Sequence, residues 1–267
     1  MSNYVASFGG GVQSTAMLVL AAQDKIPHRT MLFCNVGEDS ENPETLDYVR
    51  DYARPFAEKH GIVFHELQTI RRDGTPDTIR QREERTKRTI GIPMYVGTGA
   101  PGNRSCTYDF KIKQVAKWTK AHGATIDAPF HVALGISIDE YHRMRSSTVK
   151  HQVSDYPLID LRMSRNDCHA LITQAGLPTP PKSSCYFCPF QRTHQWQHLR
   201  KKRPDLFQKA VELERMENDK RRALGKDEMW LSSALKPLDE AIVETGQLEM
   251  FSDEDDGTCD IGGYCFS

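Results

Sequence analysis

The feature that most constrains this chain lies at its beginning. A strand candidate, Tyr4–Ser7, runs directly into Ser7-Phe8-Gly9-Gly10-Gly11-Val12-Gln13-Ser14-Thr15 and then into the apolar stretch Ser14–Gln23. That stretch, STAMLVLAAQ, is apolar nearly all round, which predicts a helix buried on every side. A strand that turns through glycines into a buried helix calls for a sheet with helices packed on it. The turn also suits an anion, because glycines let backbone N–H groups approach phosphate oxygens and the helix N-terminus adds its dipole. Ser14 and Thr15 add hydroxyls. A tight strand–helix turn with no ligand gives the same pattern. The loop is not a Walker A loop, since it lacks Gly-Lys-Ser/Thr, and Ser14 stands where a dinucleotide fingerprint needs its third glycine.

The chain that follows repeats the alternation. Arg29–Asn35 reads as a buried strand, Pro43–His60 as an amphipathic helix stopped by Gly61, and Ile62–Leu67 and Phe130–Gly135 as further strands. Strands separated by helices predict right-handed βαβ units. The expected class is α/β, a doubly wound and mostly parallel sheet. Arg71–Gly102 has no clear period, and its first part, Arg71–Arg88, holds seven basic and four acidic residues. Beyond Asp160 a helix is expected over Ser164–Gly176, then a stiff LPTPPKSSC connection, then helices over Thr193–Arg203 and Asp205–Leu224. The expected organisation is an α/β domain over 1–160, a helical cysteine-containing appendage over 161–236 and an acidic tail over 237–267.

Charge is divided along the chain. The formal net charge is −1, yet Leu238–Ser267 holds nine acidic residues and no Lys or Arg, which leaves +8 on the remainder. Lys182–Lys226 holds twelve basic and five acidic residues. Such a run suits a nucleic-acid backbone and equally suits two solvated helices. Mean hydropathy is −0.58, and no apolar run approaches the ~18 residues of a membrane span. The opening residues lack a basic and then apolar export signature, so a cytoplasmic protein without membrane contact is expected.

Seven cysteines without an export signature argue for metal or redox chemistry over a disulfide framework. Cys34 lies in an apolar run and reads as buried. Cys185-x-x-Cys188 is half a metal site or a redox pair. Cys168, seventeen residues earlier, and Cys106 are candidates to complete it; Cys168 also reads as a buried helix residue and Cys106 as a thiol beside a ligand. Four thiolates favour Zn²⁺ or an iron–sulfur cluster. Cys259 and Cys265 read as a redox pair, a sulfur relay or neither.

Taken together, these segments resemble a family. Ser7–Thr15 resembles the PP-loop of N-type ATP pyrophosphatases, Ser-Gly-Gly-x-Asp-Ser, with Gly9 in place of the first Ser and Gln13 in place of Asp. Phe33–Glu38 with Asn42–Thr45, Arg104–Thr107 with Lys111-Ile112, Gly135–Glu140 with Arg143 and Arg145, Pro157–Asp160, Asp167-Cys168 and Lys182–Pro189 resemble segments of phosphoadenosine phosphosulfate reductase-like proteins. The resemblance spans about residues 3–215. It implies an adenine nucleotide alpha hydrolase-like fold that binds ATP and Mg²⁺. Ser7, Gly9, Gly10, Gly11, Gln13, Ser14, Thr15, Arg143 and Arg145 would hold the nucleotide. Lys111, Arg104, Asp139, Glu140 and Glu38 would serve the chemistry, the carboxylates through Mg²⁺ or simply as helix N-terminal charges.

DNA phosphorothioation proteins of the Dnd or Ssp type carry similarly placed cysteines on a [4Fe–4S] cluster. This implies the cluster, or Zn²⁺, on Cys106, Cys168, Cys185 and Cys188. The implied function is adenylation of a substrate oxygen for sulfur transfer, with nucleic acid (DNA first) as substrate and a sulfur donor such as a cysteine desulfurase as partner. A phosphoadenylyl-sulfate reductase using Cys265, and a non-catalytic nucleotide-binding module suggested by Gln13, are the alternatives. Gln247-Leu248-Glu249-Met250-Phe251 resembles peptides that dock on sliding clamps.

Overall fold

The computed structural model describes residues 3–87 and 90–243. Arg88 and the region of the acidic tail that holds the clamp-like peptide Gln247–Phe251, Cys259 and Cys265 lie outside the described residues.

Alternation in the strands decides the architecture. In β1 (Tyr4–Phe8), Ala6 and Phe8 face one side and Val5 the other; β2 (Thr30–Asn35) divides Met31 and Phe33 from Leu32 and Cys34 in the same way. Each face therefore needs its own cover. On the first side lie α1 (Val12–Ala22), α2 (Pro43–Tyr48), α3 (Arg54–Lys59) and α8 (Arg165–Gln174). On the second lies α6 (Lys113–Ala121), through Val115 and Trp118. The protein is thus α/β, with β3 (Val63–Ile70), β5 (Phe130–Ala133), β6 (Gln152–Asp155) and the short β4 (Pro76–Asp77) completing the sheet, and the short helices α5 (Ser105–Thr107) and α7 (Pro157–Asp160) in its connections.

The strand order is β4-β3-β2-β1-β5-β6, and the pairs β3–β2, β2–β1, β1–β5 and β5–β6 are parallel. Ala6 stands opposite both Met31 and Ala133, so β1 is central. The chain winds outward from β1 to β3, then crosses back to place β5 on the other side of β1. That reversal leaves a crevice beyond the carboxyl ends of β1 and β5.

Three differences from the sequence reading have physical causes. The expected single helix over 43–60 is α2 and α3 joined by a π-helical turn, Val49–Ala53. Pro55 has no N–H for the carbonyl of Asp51, and the ladder widens just before it. The Arg71–Gly102 stretch contains α4 (Ile79–Arg85), capped by the Thr78 hydroxyl. The chain also divides elsewhere than at 160. Among the described residues, one compact unit is 3–76 with 107–184; the other joins 77–106 to 185–243. α8 belongs to the first unit because Cys168, Leu171 and Ile172 share its core with α1.

The second unit holds α9 (Thr193–Lys202), α10 (Pro204–Ala223) and α11 (Leu238–Ala241). Buried carboxylates tie its loops down. Glu214 accepts the N–H groups of Leu231 (2.7 Å) and Leu238 (2.8 Å), and Glu83 accepts that of Gly91 at 3.0 Å. Burial pushes the carboxyls of Glu214 and Glu83 up to about 7.

Candidate functional site

The glycine loop connects β1 to α1 at the sheet's reversal. Gly10 has φ +81°, and a Cβ there would meet Thr45 Cγ2 at 2.7 Å, so both conformation and space require glycine. Gly11 caps α1. The Ser14 hydroxyl donates to the Gly11 carbonyl (3.0 Å) and accepts the Gly11 N–H (3.1 Å). Ser14 thus closes the first turn, and Thr15 is fully buried beneath it. The loop has a partner the sequence reading did not single out: the Ser183 hydroxyl donates to the Gly9 carbonyl. Ser184 continues this contact by accepting the Asn42 N–H at 3.1 Å.

Beside the loop, β5 leaves the sheet through Gly135. A Cβ at Gly135 would lie 3.1 Å from the Ser14 nitrogen and 3.2 Å from Gln13 Cβ. The exit of β5 therefore touches the start of α1. On the α6 side of the sheet is a cavity of about 140 Å³. Its wall includes Ser7 from β1, Lys111 from the π-helical turn Tyr108–Ile112, and Arg143 and Arg145, which follow β5. Ile112, Val115, Val132, Leu134 and Ile136 supply an apolar wall, and Tyr156 adds a ring. Four residues expected to serve a nucleotide thus meet at one cavity, cations beside apolar surface.

The remaining expected residues of this unit are distributed around it. Glu38, after β2, and Asp139, after β5, are exposed. Asp139 accepts the Arg165 N–H at 2.5 Å, at the start of α8. Arg145 is exposed, and its guanidinium donates to the carbonyls of His142 and Met144, both at 2.7 Å. Glu140 was expected to hold Mg²⁺ or act in the chemistry; it is 2 % exposed, and Arg143 donates to its Oε1 at 2.5 Å. Its other oxygen accepts from Gln13 Nε2 at 3.2 Å. Glu140 lies at a kink within the short helical stretch Ile138–Arg143, with φ −117° and ψ 19°, and Arg143 follows it three residues later.

The cysteines divide between surroundings. Cys34 and Cys168 are buried in the two cores of the first unit, and burial pushes both thiols up to about 12. Cys168 packs with Leu171 and Ile172 against α1. Cys106, Cys185 and Cys188 are half-buried in the second unit. The Cys188 N–H closes a turn onto the Cys185 carbonyl at 3.0 Å, and the Cys106 N–H donates to Gly91. Among the described residues no three His, Cys, Asp or Glu side chains form a group able to hold a metal ion.

Arg104 also belongs to the second unit, where its guanidinium lies 4.8 Å above the Phe190 ring. Much of the basic run is engaged within this unit. Arg203 pairs with Asp205, Arg215 with Asp239, Lys220 with Glu217 and Arg222 with Asp219. Arg200 donates to the carbonyls of Asp239 and Ile242. Lys201 and Lys202, in the last turn of α9, are exposed. No helix among the described residues is long and apolar enough to cross a membrane.

Compared with family models and with curated proteins, the chain matches none.

Proposed function

We propose that the first unit binds ATP at the crevice between β1 and β5 and splits it to pyrophosphate, adenylating a substrate oxygen for sulfur transfer. The observation that carries this reading is the convergence of Ser7, Lys111, Arg143 and Arg145 on one cavity, beside the glycine loop and at the sheet's reversal. The resemblance to PP-loop proteins, with their adenine nucleotide alpha hydrolase-like fold, supports the same assignment.

The chemistry follows from charge. A substrate oxygen attacks the α-phosphorus, the new O–P bond forms, and the α–β bridging bond breaks with its electron pair leaving on pyrophosphate. Lys111 and the arginines offset the charge that develops on the departing group. Glu38 and Asp139, exposed at the ends of β2 and β5, suit Mg²⁺, which takes one or two carboxylates together with phosphate oxygens. When bound, Mg²⁺ would supply further neutralisation of pyrophosphate. Hydrosulfide, freed by a thiol reductant from the persulfide of a donor protein such as a cysteine desulfurase, then attacks the atom bearing the adenylated oxygen; the bond to sulfur forms, the bond to that oxygen breaks, and AMP leaves. Nucleic acid is the proposed acceptor, with Lys201 and Lys202 as backbone contacts in the second unit.

A second reading has an observation of its own. Gln13, at the loop position where PP-loops carry Asp, spends its amide on Glu140. A nucleotide-binding module without turnover would fit that substitution. α-Labelled ATP with Mg²⁺, nucleic acid and sulfide separates the two. Equal yields of AMP and pyrophosphate support adenylation, and tight binding with no product supports the module. ADP and phosphate as products refute both. Lys111→Ala should weaken ATP binding about tenfold, as loss of one charge-assisted contact implies.

A further inference from the structure

Four side chains, one of which reaches the cavity wall, form a chain of hydrogen bonds with a fixed donor order. Arg165 Nη1 donates to Gln13 Oε1 at 3.2 Å, Gln13 Nε2 donates to Glu140 Oε2 at 3.2 Å, and Arg143 Nη1 donates to Glu140 Oε1 at 2.5 Å. Gln13, Glu140 and Arg143 are 5 %, 2 % and 6 % exposed. Of the three, only Arg143 belongs to the cavity wall. Residue 13 must accept from one neighbour and donate to the other, and a neutral amide does both. A carboxylate at position 13 would put a second negative charge about 3 Å from Glu140, where like charges repel. The amide therefore links the glycine loop to the turn that carries Arg143.

We propose that Gln13 and Glu140 are positioning residues that hold the Arg143 guanidinium at the cavity wall, in register with the glycine loop. Glu140 acts through Arg143 without touching the ligand. The role rests on the nucleotide reading above, since it assigns Arg143 to an anionic ligand, and it makes a counterintuitive statement about sign. By simple electrostatics, removing a carboxylate near an anion site tightens anion binding. By positioning, the same change loosens it, because Arg143 loses its anchor.

Titration calorimetry with MgATP and with inorganic pyrophosphate separates these outcomes. Glu140→Gln keeps the shape of the side chain but sets its NH₂ against that of Gln13. Affinity for both probes should fall roughly tenfold, the loss expected for a charge-assisted hydrogen bond. The exchange Gln13→Glu with Glu140→Gln restores the donor order, since residue 13 then accepts from Arg165 and residue 140, and residue 140 accepts from Arg143. It should recover most of the lost affinity. Gln13→Ala, which keeps the Glu140–Arg143 pair but cuts it from the loop, should lose about threefold.

Unchanged or tighter binding in Glu140→Gln, or an exchange variant no better than the single one, overturns the proposal. Should the wild-type chain bind neither probe, the nucleotide reading falls and hydrogen exchange decides the linkage. Protection across residues 138–145 lost in Glu140→Gln and regained in the exchange upholds it; unaltered protection overturns it.

Discussion

Glu214 offers a test in which stability runs against the usual pH trend. Its carboxylate is 2 % exposed and accepts two backbone N–H groups, from Leu231 and Leu238. Burial nevertheless dominates and raises the carboxyl from 4.5 to about 7. A raised carboxyl means that the folded chain holds a proton which the unfolded chain has released. The associated stability is fully present below 4.5 and lost as pH rises through about 7. At about 1.4 kcal/mol per pH unit, roughly 2.5 kcal/mol disappears between about pH 5 and pH 8. Glu214→Gln removes the titration. Its single oxygen can accept only one of the two N–H groups, so it should be about 1 kcal/mol less stable than wild type near pH 5. Near pH 8 the order should reverse, with the variant ahead by about 1–2 kcal/mol. Urea unfolding in a Trp118→Phe background, so that Trp196 and Trp230 of the second unit report, gives both numbers. A difference between variant and wild type that stays constant across this range would refute the reasoning.

Two further outcomes follow from close packing. Gly135→Ala should cost about 1–3 kcal/mol and weaken ATP binding, because the new methyl displaces the start of α1; unchanged melting temperature and affinity would contradict that contact. Cys168→Ala should cost about 1–2 kcal/mol of unfolding free energy and leave the iron or zinc content of the purified chain at its wild-type level. Metal lost in this variant, measured by elemental analysis, would restore Cys168 as a ligand.

The strand–loop–helix at the start was legible because each of its parts has a strong local signature: alternation, three glycines and an all-apolar helix. β2 and β3 were legible for similar reasons. β6 was missed. Its Gln152-Val153-Ser154-Asp155 has little apolar character, and Asp155 is held at the sheet edge by His28 (3.0 Å) and His131 (3.1 Å). An edge strand carrying a charge hides from a hydrophobic pattern. α6 was missed because Lys113, Lys117 and Lys120 dilute the stripe carried by Val115 and Trp118.

Several residues singled out in the sequence share one cavity, while their local partners do not show in it. Lys111 and Arg143 do line a cavity. Glu140 reads as a ligand carboxylate until its burial and its pairing with Arg143 across the kinked turn are seen. Ser183 and Arg165 were invisible because their partners, Gly9 and Gln13, lie more than 150 residues away.

The route of the chain between its two units bears on how the protein is made. Asp77–Cys106 leaves the translating ribosome well before the segment from Cys185 that completes its unit. The first unit has all its strands and α8 once Ser184 has emerged. The earlier thirty-residue excursion must wait, with Ile79, Glu83, Met94 and Tyr95 lacking the burial they later have. Synthesis therefore passes through a stage with one finished unit and one unfinished loop. No single cut separates the units, and a chain ending near residue 184 would keep that stage permanently. Its exposed apolar side chains make such a fragment prone to aggregate even though its sheet is complete.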